Sequence, residues 1–373
     1  MTQKVTVDRG ELYSALQKIT QVIPQGKAAR SDKYPEFTRY LHLRTDDGCL
    51  VIRGTDTADT LVVRIKAEGE IEACVLATTL FALVKPQGKL DGSTVEIESV
   101  EGEKVGGSVR IVSDSITTKV ATGVALSEYP AVPGGRWKLL IQKWKAKDFK
   151  TILTYALLAA GRDETRPAIN CVALIENRAV TTDGHRMHIA DLPGTIKSDA
   201  GSDVKLSNKV ALLCCKFLND NDAVSIKQKK SGEIVVSGGN WELYSDVVPE
   251  KFPVYSQVVP KGCDFEVDVD RKKLATLLKK LSCLSNSVKV ILNGNQCRLI
   301  TESREFGNTE TELLLDRISV VGAHIVIGFN IRYLLDAIDL EFDTVTLRFG
   351  NAFDPLLIRA GECRQAVVMP MRV

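Results

Sequence analysis

Five side chains suited to proton transfer fall within nine consecutive positions: Asp183, His185, Arg186, His188 and Asp191, inside the stretch AVTTDGHRMHIADL at residues 179–192. A carboxylate beside an imidazole is the raw material of general acid–base catalysis, and a hydrolase could use Asp183, His185 and His188 in that way. Such chemistry also needs a nucleophile and an oxyanion site in mutual reach. The chain carries no companion motif: no GxSxG, no HExxH, no GxxxxGK[ST], and no GxGxxG between a strand and a helix. Asp183-Gly184 is equally a turn signal, because glycine supplies backbone freedom and the aspartate carboxylate bridges the bend. Read that way, the stretch is a strand, a tight turn and a second strand.

The elements that must hold this stretch repeat along the chain. VTVDRGELYSALQKI at 5–19 lies over VDVDRKKLATLLKKL at 267–281, with identical residues at 5/267, 7/269, 8/270, 9/271, 12/274, 16/278 and 18/280. The pattern is a period-two strand, an aspartate placed to cap a helix, and apolar residues at helical spacing. A fainter copy is LIQKWKAKDFKTILTYALLAAG at 140–161, where Phe149, Ile152 and Leu153 form the helical apolar face. Thr55-Asp56, Thr182-Asp183 and Thr301-Glu302 each follow a strand-like run, and a second amphipathic helix is predicted from 77, from 206 and from 329. The thirds close alike, with EYPAVP at 128, KFPVYSQVVP at 251 and VMPMRV at 368. Seams fall at the Pro/Gly-rich 130–136 and at 259–264. These features predict three α+β copies of one domain, at 1–134, 137–260 and 263–373.

Composition narrows the function. The 373 residues hold 49 Lys and Arg against 47 Asp and Glu, a net charge of +2, which argues against tight electrostatic gripping of nucleic acid. The nine cysteines form no CxxC pair and histidine occurs only four times, so we expect reduced thiols, no metal and no cofactor. No apolar run reaches the roughly 18 to 20 residues of a membrane span. The start MTQKVTVDRG lacks an apolar signal core, so a cytoplasmic location is expected.

Five segments, in order, resemble the bacterial DNA polymerase III beta subunits, the sliding clamps: DETRPAINCVAL at 163–174, TTDGHRMHIADL at 181–192, KFPVYSQVVP at 251–260, FNIRYLLDAI at 329–338 and VVMPMRV at 367–373. The resemblance implies the DNA clamp fold. Each of three domains would carry two inner helices and outer antiparallel sheets, and a head-to-tail homodimer would form a ring around duplex DNA. Twelve helices spaced about 9 to 10 Å apart set their axes on a circle roughly 36 Å across, leaving about 26 Å clear for a duplex roughly 20 Å wide. Topology would then hold DNA where charge does not. Basic residues for the hole are Lys27, Arg30, Lys150, Lys209, Arg271, Lys272, Lys273, Lys279 and Lys280, with Lys18, Lys33, Lys216 and Arg332 as further candidates.

The same resemblance implies a pocket for short linear peptides at the junction of the second and third domains. Its positions here are Ile169, Thr182, Gly184, His185, Arg186, Met187, Pro253, Val258, Asn330, Tyr333, Val367, Val368, Met369, Pro370, Met371 and Arg372. Implied partners are the DNA polymerase III alpha subunit, the clamp loader, other clamp-binding repair polymerases and mismatch-repair proteins, with no membrane. Departures from the family pattern are YPEF at 34–37 for an LPIL-like run, Gln257 where many relatives have Arg, Met187 for Leu, and Val373 for a terminal Leu. Two alternatives remain at this point: a specialised clamp paralogue with a plasmid, phage or resistance role, and the hydrolase built on Asp183 and His185.

Overall fold

The computed structural model describes residues 3–86, 93–100, 107–113, 116–163, 165–196, 203–248, 250–294, 296–303, 307–320, 324–338 and 341–372. Six α-helices stand among them: α1 (Arg9–Ile19), α2 (Ala77–Val84), α3 (Ala146–Leu157), α4 (Asn208–Phe217), α5 (Arg271–Ser282) and α6 (Ile331–Ala337). They fall two to each third of the chain, as the repeat predicts. The capping aspartates act as expected. Asp8 Oδ1 accepts the Glu11 amide at 2.8 Å, and Asp270 Oδ1 accepts the Lys273 amide at 2.7 Å. Each satisfies an N–H that the first helical turn leaves unpartnered. In α5 the stripe Leu274, Leu278 and Leu281 is buried, at the 4-then-3 spacing of one helical face.

Two differences from the sequence reading have simple causes. The helices expected from 206 and from 329 begin at Asn208 and Ile331, because Leu206 and Ser207 complete the strand Val204–Ser207 and Phe329 and Asn330 complete the strand Ile325–Asn330. Thr301-Glu302 does not follow a strand as Thr55-Asp56 and Thr182-Asp183 do; it lies inside Gln296–Ser303, which pairs residue for residue with Gly307–Leu313.

Contacts gather the chain into two compact units. The first comprises Met1–Ala146 and Phe217–Val247. Its twelve described strands form one sheet, in which Asp59–Gly69 pairs with Cys49–Thr55, with Trp241–Ser245 and, at its end, with Gln3–Asp8. The second comprises Lys147–Lys216 and Val248–Val373. It holds a nine-stranded sheet and a four-stranded sheet, with every pairing antiparallel. The join that matters for function is Arg186–Asp191 against Arg364–Val368, where Met187 faces Val367 in register. One core of the second unit packs α5 and α6 against Arg364–Val368 and its neighbouring strands, with Phe329, Phe349 and Val368 at most 1% exposed.

Candidate functional site

The hairpin that opened the sequence reading is built by its own polar groups. Strands Arg178–Thr182 and Arg186–Asp191 pair antiparallel across the turn 183–185. Gly184 has φ +91°, a conformation that suits glycine. Thr182 Oγ1 donates to the Arg186 carbonyl at 2.7 Å and accepts the Gly184 amide at 3.1 Å. Asp183 Oδ1 accepts the amides of His185 and Arg186 at 2.9 and 3.0 Å, and its Oδ2 accepts Arg186 Nε at 3.1 Å. The carboxylate is therefore committed to the bend and to one cation.

Arg186 is buried and directs all three nitrogens inward. Nε goes to Asp183, Nη1 donates to Asp336 Oδ2 at 2.5 Å, and Nη2 donates to the Leu158 carbonyl at 2.5 Å. Its guanidinium also lies over the Tyr333 ring, 4.5 Å from the centroid, and the exposed His185 ring lies parallel to Tyr333 at 6.4 Å. His188 is fully buried. Its Nδ1–H donates to the Tyr155 carbonyl at 2.8 Å and its ring stacks on Tyr155 at 4.4 Å. Burial pushes its pKa down to about 4, with the Arg186 charge acting in the same direction. A neutral, enclosed imidazole and a carboxylate held in a turn do not make an acid–base pair open to a substrate. The hydrolase reading keeps only His185, whose ring is exposed and lies against Tyr333, and finds neither Asp183 nor His188 open beside it.

Beside this hairpin lies a cavity of about 420 Å³ lined by Thr165, Arg166, Ala168, Ile169, Thr182, Gly184, Arg186, Met187, Glu250, Pro253, Tyr255, Val258, Val367 and Met369. All belong to the second unit. The floor is sheet: Met187 and Val367 are buried in a cluster with Cys171, Ala173, Val180, Ile189, Leu357 and Phe252. Phe252 anchors the segment that forms one wall. Lys205 Nζ fixes the same segment by donating to the carbonyls of Val248 and Glu250. Along that wall Val254 and Val258 stay 64% and 47% exposed, and across the floor Met369 is 37% exposed. A slot of this make-up takes an apolar segment and offers few polar groups to fix its direction.

Nine of the sixteen expected peptide-site residues line the cavity: Ile169, Thr182, Gly184, Arg186, Met187, Pro253, Val258, Val367 and Met369. The other seven lie elsewhere. Val368 is 0% exposed within the core around α5 and α6, so it cannot touch a ligand. Asn330 Oδ1 accepts the amides of Arg332 and Tyr333 as the cap of α6, so it is a structural residue first. His185 and Tyr333 pair with each other beside Arg186. Pro370, Met371 and Arg372 follow Met369 outside the lining, and Met371 bridges to Gly328. Arg186 lines the slot as expected, and its nitrogens are engaged by Asp183, Asp336 and the Leu158 carbonyl. Sequence reading missed Thr165, Arg166, Ala168, Glu250 and Tyr255. All five sit in irregular or 3-10 segments with no apolar period, although Thr165, Arg166, Ala168 and Tyr255 fall inside motifs already singled out.

Among the basic candidates, Arg271 is a clear correction. It is 7% exposed and its Nε donates to the Phe342 carbonyl, while Arg9 at the matching repeat position is 5% exposed and donates to Ser113 Oγ. The shared arginine of the repeat is structural. Lys272, Lys273, Lys279 and Lys280 are exposed on the face of α5 opposite the buried leucines, and Lys272 pairs with Asp343 at 3.0 Å. Lys27, Lys33, Lys216 and Arg332 are exposed, and Lys18, Lys150 and Lys209 are half-buried. The side chain of Arg30 and residue Val373 lie outside the described residues. No helix is long and apolar enough to cross a membrane among the described residues.

Comparison with known proteins bears on what such a slot serves. Residues 143–254 match the profile of the DNA polymerase III beta subunit central domain, and residues 256–372 match that of its C-terminal domain. The chain is 26% identical over 381 residues to the beta sliding clamp of Chlamydia pneumoniae, covering 99% of each. It is 24% identical over 384 residues to that of Escherichia coli K12, covering 99% of this chain and 100% of the relative. In structure it is similar to the sliding clamp of Bacillus subtilis, with a TM-score of 0.87 at 20% identity and full coverage of both chains. A sliding clamp of Pseudomonas aeruginosa bound to griselimycin gives 0.86 at 22% identity, again with full coverage of both.

Proposed function

The chain belongs to the DNA polymerase III beta subunit family, and from that premise we propose that it is a sliding clamp of bacterial DNA replication. Two copies close head to tail around duplex DNA, and the slot captures short apolar peptides of the replication and repair proteins that the ring tethers. The repeat divides the chain into clamp domains at 1–134, 137–260 and 263–373. The observation that carries the reading is the set of six helices, two in each third, which become twelve in a dimer, the number that spans a duplex-sized hole.

Two features support closure. A head-to-tail contact joins two different surfaces. Ile116–Ala121 ends the sheet of the first unit, and Gly307–Leu313 ends the four-stranded sheet of the second. An edge strand presents unpaired backbone groups to any complementary edge. Lys119 is exposed on the former and Glu312 on the latter, where Glu310 is already paired with Arg298 at 2.9 Å, so Lys119 and Glu312 set opposite charges on the two edges.

Function by enclosure fits a net charge of only +2, since a ring needs weak contacts to slide. The work is binding rather than catalysis: a polymerase held by its peptide rebinds DNA as an intramolecular event. The partners on this reading are duplex DNA, the polymerase III alpha subunit, a clamp loader that opens the ring with ATP, and repair polymerases and mismatch-repair proteins bearing similar peptides. The place of work is the cytoplasm. Light scattering across a dilution series tests the ring, with a mass twice that of the chain expected. Retention on circular DNA with loss from linearised DNA is the companion result. A strict monomer at micromolar concentration, or equal retention on both DNAs, overturns the proposal.

A further inference from the structure

Three charged residues line a slot otherwise made of apolar and neutral groups: Arg166, Arg186 and Glu250. Arg186 is occupied internally by Asp183, Asp336 and Leu158. Arg166 lies against the turn, its Nη1 3.4 Å from where a side chain on Gly184 would begin, and its Nε is 3.9 Å from Asp163 Oδ2. Glu250 differs from both. It is exposed, and no ion pair involves it among the described residues. Its backbone is nevertheless fixed, because Lys205 Nζ donates to the carbonyls of Val248 and Glu250. A free carboxylate is thus held at the wall of an apolar slot.

We infer that Glu250 makes the slot selective for an extended apolar peptide that carries a lysine or arginine at the end lying toward strand Val204–Ser207. The inference rests on the peptide-slot reading above and deepens it. An apolar segment settling into the slot strips water from the Glu250 carboxylate, and stripping a charge without a partner is costly. A cation on the peptide offsets that cost, while an acid in the same place adds repulsion, so selection acts in both directions.

Spacing gives the position of the cation. The lining runs from Ile169, two residues before strand Cys171–Ile175, to Val367 in Arg364–Val368, and those two strands lie three steps apart in the sheet order. Three steps of about 4.8 Å make about 14 Å, the reach of roughly four extended residues. Lys205, which holds Glu250, belongs to the next strand outward. The basic residue therefore flanks an apolar core of about four residues instead of lying within it.

The test uses the full chain and fluorescein-labelled peptides with a four-residue leucine and phenylalanine core. Each carries Lys or Glu at one end or the other, and a core-only peptide is included. Fluorescence anisotropy should find one placement where the Lys peptide binds on the order of ten-fold tighter than the Glu peptide at low salt. That preference should shrink at high salt, vanish in Glu250→Gln and reverse in Glu250→Lys. Equal binding of Lys and Glu peptides to the wild-type protein, or a preference that survives in Glu250→Gln, overturns the inference while leaving the slot reading intact. Failure of every peptide to bind, core-only included, overturns the slot reading and this inference with it.

Discussion

Arg186 Nη1 lies 2.5 Å from Asp336 Oδ2, which ties the hairpin under the slot to helix α6. The same guanidinium holds Asp183 at 3.1 Å, so one cation serves two carboxylates. Removing it leaves Asp183 without a cation and Asp336 with only the exposed Arg332, 3.8 Å away, and a broken buried pair of this kind costs about 3 kcal/mol. Arg186→Met should therefore lower the urea midpoint by far more than Asp336→Asn, which leaves the Asp183 pair in place and costs about 1 kcal/mol. Equal midpoints for the two variants would show that the ion pairs do not lock this hairpin.

The slot itself is open to a direct test at positions whose side chains already reach water. Val258→Glu and Met369→Glu add charge where the structure has half-exposed apolar surface. Each should weaken binding of a leucine and phenylalanine peptide at least about ten-fold, about 1.4 kcal/mol. The mass in solution and the circular dichroism spectrum should stay unchanged. Unaltered affinity in both variants would move the peptide site elsewhere.

Much of the fold was legible because its signals are local. Asp8 and Asp270 sit one residue before helices whose apolar stripes start at Leu12 and Leu274, and the structure uses both as caps. The Asp183-Gly184 turn was legible for the same reason. Charged residues were harder to place, since residue type does not say whether a backbone carbonyl waits beneath the side chain. Arg271 looks like a member of a basic run, yet it donates to the Phe342 carbonyl, 71 residues away. Arg186 looks like a ligand for an extended peptide, yet its acceptors come from three separate segments. Glu250 was not legible at all. Its place on the slot wall depends on Lys205 and Phe252 pinning an irregular segment, and neither contact has a sequence period.

His188 gives the protein a defined acid sensitivity. Its folded pKa is about 4, below the ordinary 6.5, because burial disfavours the charged ring. The unfolded chain therefore binds this proton first as the pH falls. Stability is complete above about 6.5 and declines between there and about 4, by up to about 1.4 kcal/mol per pH unit from this group. His188→Gln should flatten the fall of the urea midpoint between neutral pH and pH about 4.5, relative to wild type. A parallel fall in both proteins would assign the acid loss to other groups.

The lysine stripe on α5 yields the prediction that separates enclosure from gripping. Lys273 and Lys280 are seven positions apart, two turns along the same face, and both are exposed. Lys272 is less informative, because Asp343 already partners it. If the duplex runs past this face, reversing two charges removes weak phosphate contacts and adds repulsion. Lys273→Glu combined with Lys280→Glu should reduce the salt dependence of DNA association by roughly one unit of slope per lysine that meets a phosphate. The doubled mass and the affinity for the slot peptide should hold, since neither lysine lines the slot. Once loaded on circular DNA, the variant ring should still be retained, because a closed ring leaves only by opening. Loss of retention on circles together with an intact dimer would mean that charge, and not topology, keeps this protein on DNA.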